Sequence, residues 1–208
     1  MPSYPQISPK LQKGSIVAID QVTKQRTEIP FQYNPDTLTR RLTAQTASGS
    51  FDRSEAFRIK APPEETFSLE IEIDATDDLE AGDSDAESLG IHPRLAVLEL
   101  LRYPSSQLVI TNEQLANFGV IEIVPSEVPL TLFAWGPNRV VPVRLTGFSI
   151  TEEAFDPNLN PIRAKVSLDL MVLNYVDLGL SSEGGKTFMA HQKQKEMWAK
   201  KTPGNPGI

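Results

Sequence analysis

The stretch VPVRLTGFSITEEAFDPNLNPIRAKVSLDLMV, residues 141–172, reads as two long strands joined by a turn. From Arg163 to Val172 its residues alternate, with Ala164, Val166, Leu168, Leu170 and Val172 on one side and mostly polar side chains on the other. A period of two over that length lays one face of a strand on a core and leaves the other in water. In the first half, Val141, Val143 and Leu145 point one way. Phe148 and Ile150 join them only if one extra residue intervenes, and Gly147 stands at the slip, where a bulge fits. Asp156-Pro157-Asn158-Leu159-Asn160-Pro161 turns the chain back. Two long strands joined in this way form an antiparallel hairpin.

Thr66–Asp74 repeats the pattern with Phe67, Leu69, Ile71 and Ile73. Shorter strands are predicted at Ser15–Asp20, Glu28–Tyr33, Gln107–Thr111, Val120–Val124 and Leu130–Trp135, with a tight turn at Gly136-Pro137-Asn138. One internal helix is predicted over His92–Arg102, because Pro93 suits a first helical position and Tyr103-Pro104 ends it. Its stripe of Leu95, Leu98 and Leu101, with Val97, should lie on a sheet or plug a barrel end. A second helix is predicted at Phe188–Lys200, after a linker Ser181–Lys186 and before a disordered tail KTPGNPGI.

The chain has 208 residues, enough for one domain with extensions. Seventeen prolines against 12 glycines argue against a mostly helical chain. The absence of cysteine excludes a disulfide scaffold, a thiol nucleophile and a Cys-ligated metal. The first residues lack the apolar core of a signal peptide, and no apolar run is long enough to span a bilayer, so direct membrane insertion is not expected. A net charge of −7 disfavours nucleic acid as a partner.

Charge is unevenly spread. Ala61–Ile91 holds eleven acids and no Lys or Arg. Its polar part, residues 74–90 with Asp77, Asp78, Asp83 and Asp85, reads as a solvated, mobile acidic loop. Lys186–Lys201 carries five lysines and one glutamate. The expected division is an arm over 1–12, a β domain over 13–180 and a linker, basic helix and disordered tail over 181–208.

No catalytic set emerges. His92 and His191 are far apart in sequence and fit no ligand spacing. The GxSxG, Walker and GxGxxG patterns are all missing. A calcium loop beginning at Asp83 fails, because Ser88 stands where glycine is needed and Arg94 where glutamate is needed. Aromatic residues are only 7%, which speaks against a carboxylate hydrolase with an aromatic-lined pocket. Neither an enzyme nor a cofactor is expected.

Three segments carry a family likeness: FQYNPDTLTRRL (Phe31–Leu42), HPRLAVLELLRYP (His92–Pro104) and VPVRLTGFSITEEAFDPNLNPIRAKVSLDL (Val141–Leu170). Over roughly residues 10–175 the chain resembles the tube-type domain of contractile injection systems, the phage-tail-like particles with which bacteria deliver toxins. It is most similar to the tube-initiator or baseplate adaptor members. The resemblance implies a mainly β fold, an antiparallel β-sandwich or barrel of the phage-tail-tube type with one internal helix and a C-terminal helical tail. It also implies a homohexameric ring whose partners are a spike hub, an inner tube protein, and sheath and baseplate wedge proteins. Assembly would be in the bacterial cytoplasm, with the particle released or membrane-anchored through other subunits.

By the same resemblance Phe31, Tyr33, Asn34 and Pro35 form a strand-to-turn motif, and Phe155, Asp156, Pro157 and Arg163 belong to the long hairpin. These residues, with Asp77, Asp78, Asp83 and Asp85, are the candidate assembly positions. Adaptor members often continue into a LysM-like module, for which the segment after Leu180 is too short. The alternatives are a main inner-tube subunit and, in a different class, a soluble β-barrel that binds a small ligand.

Overall fold

A computed structural model of the chain describes residues 12–20, 24–46, 59–117 and 128–203. The long hairpin is its spine. Strands β6 (Val140–Phe155) and β7 (Pro161–Val172) pair antiparallel from Val143↔Val172 to Phe155↔Pro161. The register slips between Leu145 and Gly147, the bulge that the sequence predicts. A Cβ at Gly147 would strike the Asp169 side chain, so only glycine fits there without a shift.

Five further strands complete one antiparallel sheet: β1 (Ser15–Ile19), β2 (Arg26–Pro30), β3 (Leu38–Thr46), β4 (Ile59–Asp74) and β5 (Leu130–Ala134). Their order is β2-β1-β5-β6-β7-β4-β3, which leaves β2 and β3 as the two edges. The fold is therefore mainly β, as expected, and the described strands form a single curled antiparallel sheet. β4 and β5 stand three positions apart in that order and still share one core. The predicted Gly136 turn is present, closed by a hydrogen bond from Trp135 N–H to the Arg139 carbonyl.

Helices depart further from expectation. The acidic stretch is not a loop. It forms α1 (Thr76–Glu80) and α2 (Ser84–Leu89), followed by α3 (His92–Glu99) and α4 (Ser106–Asn117). Asp83 caps α2 by accepting from the backbone N–H groups of Asp85 and Ala86, and Ala86 is buried. Gly90, at φ 58, then presses its backbone against Pro161 at the start of β7. Local capping and one anchor thus order a segment whose composition reads as solvated. The predicted helix His92–Arg102 holds as α3, with Leu95 and Leu98 buried against the sheet.

The strand predicted at Gln107–Thr111 is instead part of α4. The Ser105 hydroxyl and carbonyl both accept from Leu108 N–H, a helix start that overrides the β-branched Val109-Ile110-Thr111 run. The strand predicted at Val120–Val124 lies outside the described residues, as do most of the N-terminal arm and the end of the tail. The presumed linker Ser181–Lys186 is largely helix. After α5 (Tyr175–Leu178), Ser182 caps α6 (Glu183–Ala199) through Gly185 N–H. Phe188 and His191 bury one side of α6, which packs on β6.

Candidate assembly surfaces

Among the described residues, two sheet edges have no partner strand. β3 pairs with β4 on one side and with no other described strand. Its side chains are largely exposed, with Arg40, Arg41 and Leu42 among them. Unpaired N–H and C=O groups along such an edge are a template for another strand.

The strand-to-turn motif joins one edge to the other. Phe31 is core, and its N–H donates to the Gly14 carbonyl at 2.8 Å. Asn34 staples the connection: its Oδ1 accepts from Gly14 N–H at 2.8 Å, and its Nδ2 donates to the Gln12 carbonyl at 2.9 Å. Pro35 is half-buried, and Tyr33 stands out into solvent. The aromatic pair is thus split, one ring for packing and one for the surface.

The hairpin tip presents apolar groups. Phe155 and Leu159 are exposed, and Leu159 holds a left-handed backbone at φ 68. Asp156 organises the turn beside Pro157. Its Oδ1 accepts from the N–H groups of Asn158 and Asn160, and its Oδ2 from Asn160 Nδ2. Desolvation pushes the Asp156 carboxyl up, but the bonds from Asn160 and Asn158 outweigh it and hold the group below the usual carboxylate range.

Arg163 sits beside that tip and grips Asp74 with both Nε and Nη2 at 2.7 Å. Asp74 also accepts from the Thr76 N–H and hydroxyl. Desolvation raises the Asp74 carboxyl, while Thr76 and then Arg163 pull it below its ordinary value. Gln32 exchanges two hydrogen bonds with the Asp74 backbone, and Arg94 bridges Gln32, the Asp74 carbonyl and the Asp78 carboxylate. This network ties the segment after β2, the end of β4, α1, α3 and β7 together. Neither Gln32 nor Arg94 stands out in sequence, because their partners are distant in the chain and one is a backbone carbonyl.

The network fixes where the acids go. Asp78 is engaged by Arg94 and Asp83 caps α2, while Asp77 and Asp85 face solvent. The four predicted acids therefore belong to α1, α2 and the cap between them. Hydrogen bonds from Ala75 to Ile162 and from Ile91 to Pro161 hold that segment to the tip of the β6–β7 hairpin.

A groove at the opposite end of β6 escapes sequence reading altogether. Trp135, Asn138, Arg139, Arg40, His191, Lys195 and Trp198 line about 330 Å³ there. Glu65, on β4 beside it, is buried and is held by Arg40 Nε at 2.5 Å and Lys195 Nζ at 3.4 Å. Desolvation raises the Glu65 carboxyl, and the two cations together overcome this and lower it. His191 is lowered by burial first and then by Lys195, with Arg139 and Arg40 adding to the effect against Glu65. The groove draws on β3, the β5–β6 turn and α6, three regions that no sequence spacing connects.

Among the described residues, no cluster of three His, Asp or Glu side chains could hold a metal, and no helix is long and apolar enough to cross a membrane. Residues 10–175 match the family model described as contractile injection system tube protein. No curated protein matches the chain.

Proposed function

The chain belongs to the contractile injection system tube protein family, and from that premise we propose that it forms a homohexameric ring at the baseplate, joining the central spike to the inner tube. The family is structural, and membership implies assembly with other components of the particle. The ring works by binding, not turnover. Strand β3 of one copy adds to β2 of the next, so that six curled sheets become one closed wall without exposed edges. Tyr33, Phe155 and Leu159 supply apolar anchors at the seams and at the tip. Assembly takes place in the bacterial cytoplasm, and the particle is released or held at a membrane through other subunits.

One observation carries the initiator reading over that of a main tube subunit. Helix α6 follows the residues that the family model matches, and it docks on β6, presenting exposed Lys186, Lys193 and, just past its end, Lys200 and Lys201. A ring repeated along a tube must match its own upper and lower faces. A ring that meets a spike on one side and a tube on the other has use for a surface of its own. Sheath and baseplate wedge proteins are the further neighbours.

Copy number tests the reading. Quantitative mass spectrometry of purified particles should give one hexamer of this chain per particle, far below the sheath subunit. Abundance rising to that of the sheath would make it the main tube subunit.

A further inference from the structure

His191 is the buried ionisable side chain of α6. It is 7% exposed, and no group among the described residues bonds to its Nδ1. The charged groups that face it come from four places. Lys195 lies on α6 itself, Arg40 on β3, Glu65 on β4 and Arg139 in the turn before β6. Glu65 is the carboxylate of this set, and both of its oxygens are taken, Oε1 by Arg40 and Oε2 by Lys195. A neutral imidazole fits there at the cost of one unmet polar atom. An imidazolium donates through both nitrogens, and at Nδ1 no acceptor waits. It would also add a buried cation to three others around one carboxylate.

We propose that His191 is an acid-released latch for the second half of α6: protonation of its ring frees residues 191–199 from the sheet while the first half stays docked. The two halves are held differently. The first is anchored by Gly184 and Gly185, both buried, and by Phe188 against Tyr175 at 6.1 Å. None of these groups changes charge between about pH 5 and 8. The second half has no buried apolar side chain. It is held by His191 itself, by Trp198 edge-on to the imidazole at 6.3 Å, by Lys195 on Glu65 at 3.4 Å and by a hydrogen bond from Gln194 Nε2 to Asn138 Oδ1 at 3.2 Å. Trp198, Gln194 and Lys195 are all partly open to solvent, so the buried ring is the anchor. A segment of that length does not hold itself as a helix in water, so once freed it frays.

In the docked helix, burial and then Lys195 keep the ring below its ordinary value of 6.5 against the pull of Glu65, and Arg139 and Arg40 add to them. In the frayed helix the ring is back in water and takes up its proton first. The latch is therefore closed above about pH 7. Below 6.5 the ratio of frayed to docked helix rises by up to ~10-fold per pH unit, until the docked ring itself titrates. Release carries Lys193, Lys195, Lys200 and Lys201 off the sheet and opens the groove wall beside Trp135. The basic surface that the ring reading gives to a neighbour is thus fixed at neutral pH and loose in acid. The latch itself does not depend on that reading.

Hydrogen exchange of the full chain, read by mass spectrometry and corrected for the intrinsic pH dependence of amide exchange, tests the latch. Peptides covering 191–199 should open ~3- to 10-fold more often at about pH 5.5 than at about pH 7.5. Peptides covering 166–170, in the core strand β7, should stay protected over the same exposure. In His191→Asn the opening of 191–199 should be the same at both pH values. Exchange at 191–199 that does not change with pH in the wild-type chain overturns the proposal. An acid response that His191→Asn retains also overturns it, and assigns the response to another group. Equal exchange rates at 166–170 and 191–199 overturn it as well, because the helix then opens only with the whole domain. Should His191→Asn not fold by circular dichroism, His191→Gln takes its place with the same expectation.

Discussion

Phe67 and Phe133 lie with ring centroids 5.4 Å apart, although their strands β4 and β5 are separated by β7 and β6. In a flat sheet three strand spacings put them roughly 14 Å apart. The contact therefore measures the curl of the sheet. Both rings are fully buried, and Trp135 stacks behind Phe133 at 6.0 Å. Replacing either Phe67 or Phe133 by Ala should cost ~3–5 kcal/mol in urea titration. A double-mutant cycle should return ~0.5–1.5 kcal/mol of coupling between the rings. Zero coupling would mean that the curl does not depend on this pair.

Helix α3 gives a sharper contrast. Leu98 is buried against the sheet and Leu100, two residues on, is exposed. Leu98→Ala should lose ~2–5 kcal/mol, and Leu100→Ala should stay within ~0.5 kcal/mol of wild type. Equal losses would contradict the face that α3 buries.

The acidic helices should be separable from the fold. Asp77→Asn, Asp78→Asn, Asp83→Asn and Asp85→Asn together remove four charges. Asparagine still caps α2 at position 83, and the Asp78–Arg94 pair is partly exposed, so the folding cost should be ~1 kcal/mol. For a chain of this size that lowers Tm by ~2–4 °C. Ring assembly should weaken far more than folding does. A fall in Tm above ~10 °C would place these acids in the folding core.

Acid should destabilise the chain in two stages. The folded pKa of His191 lies below 6.5, so the unfolded chain binds a proton first as pH drops under 6.5. Glu65 and Asp74 are held below 4.5 and 3.8, so the stability they contribute is complete above those values and is lost as pH falls through their lower folded ones. Both stages have the same sign, because the unfolded state binds more protons in each window. The urea midpoint should be flat above pH 7, fall below 6.5 and fall again below 4.5. His191→Asn should remove the first step and keep the second. A midpoint that rises between pH 6.5 and 5 would contradict the assignment.

The residues that spoke clearly in sequence are those with a period. Val166, Leu168 and Leu170 marked β7, and the slip at Gly147 marked the bulge, because burial on one face leaves an alternating trace. Strand β3 left none: its side chains are mostly exposed on both faces, so Leu38–Thr46 carries no amphipathic signal. The acidic helices were hidden for a different reason. Their order depends on one cap at Asp83, one buried methyl at Ala86 and one close approach at Gly90, and composition registers none of these. Of the candidate site, Asn34, Asp156 and Arg163 were legible as turn and hairpin residues. The groove was not, since Arg40, Arg139 and Lys195 meet only through tertiary packing.

Edge pairing is the claim on which the rest depends, and cryo-electron microscopy of the intact particle reads it directly. The density should show a closed wall in which Leu38–Thr46 of each copy runs beside Arg26–Pro30 of the next at strand spacing, ~4.8 Å. Copies whose edge strands face solvent, or are covered by a different protein, would contradict it.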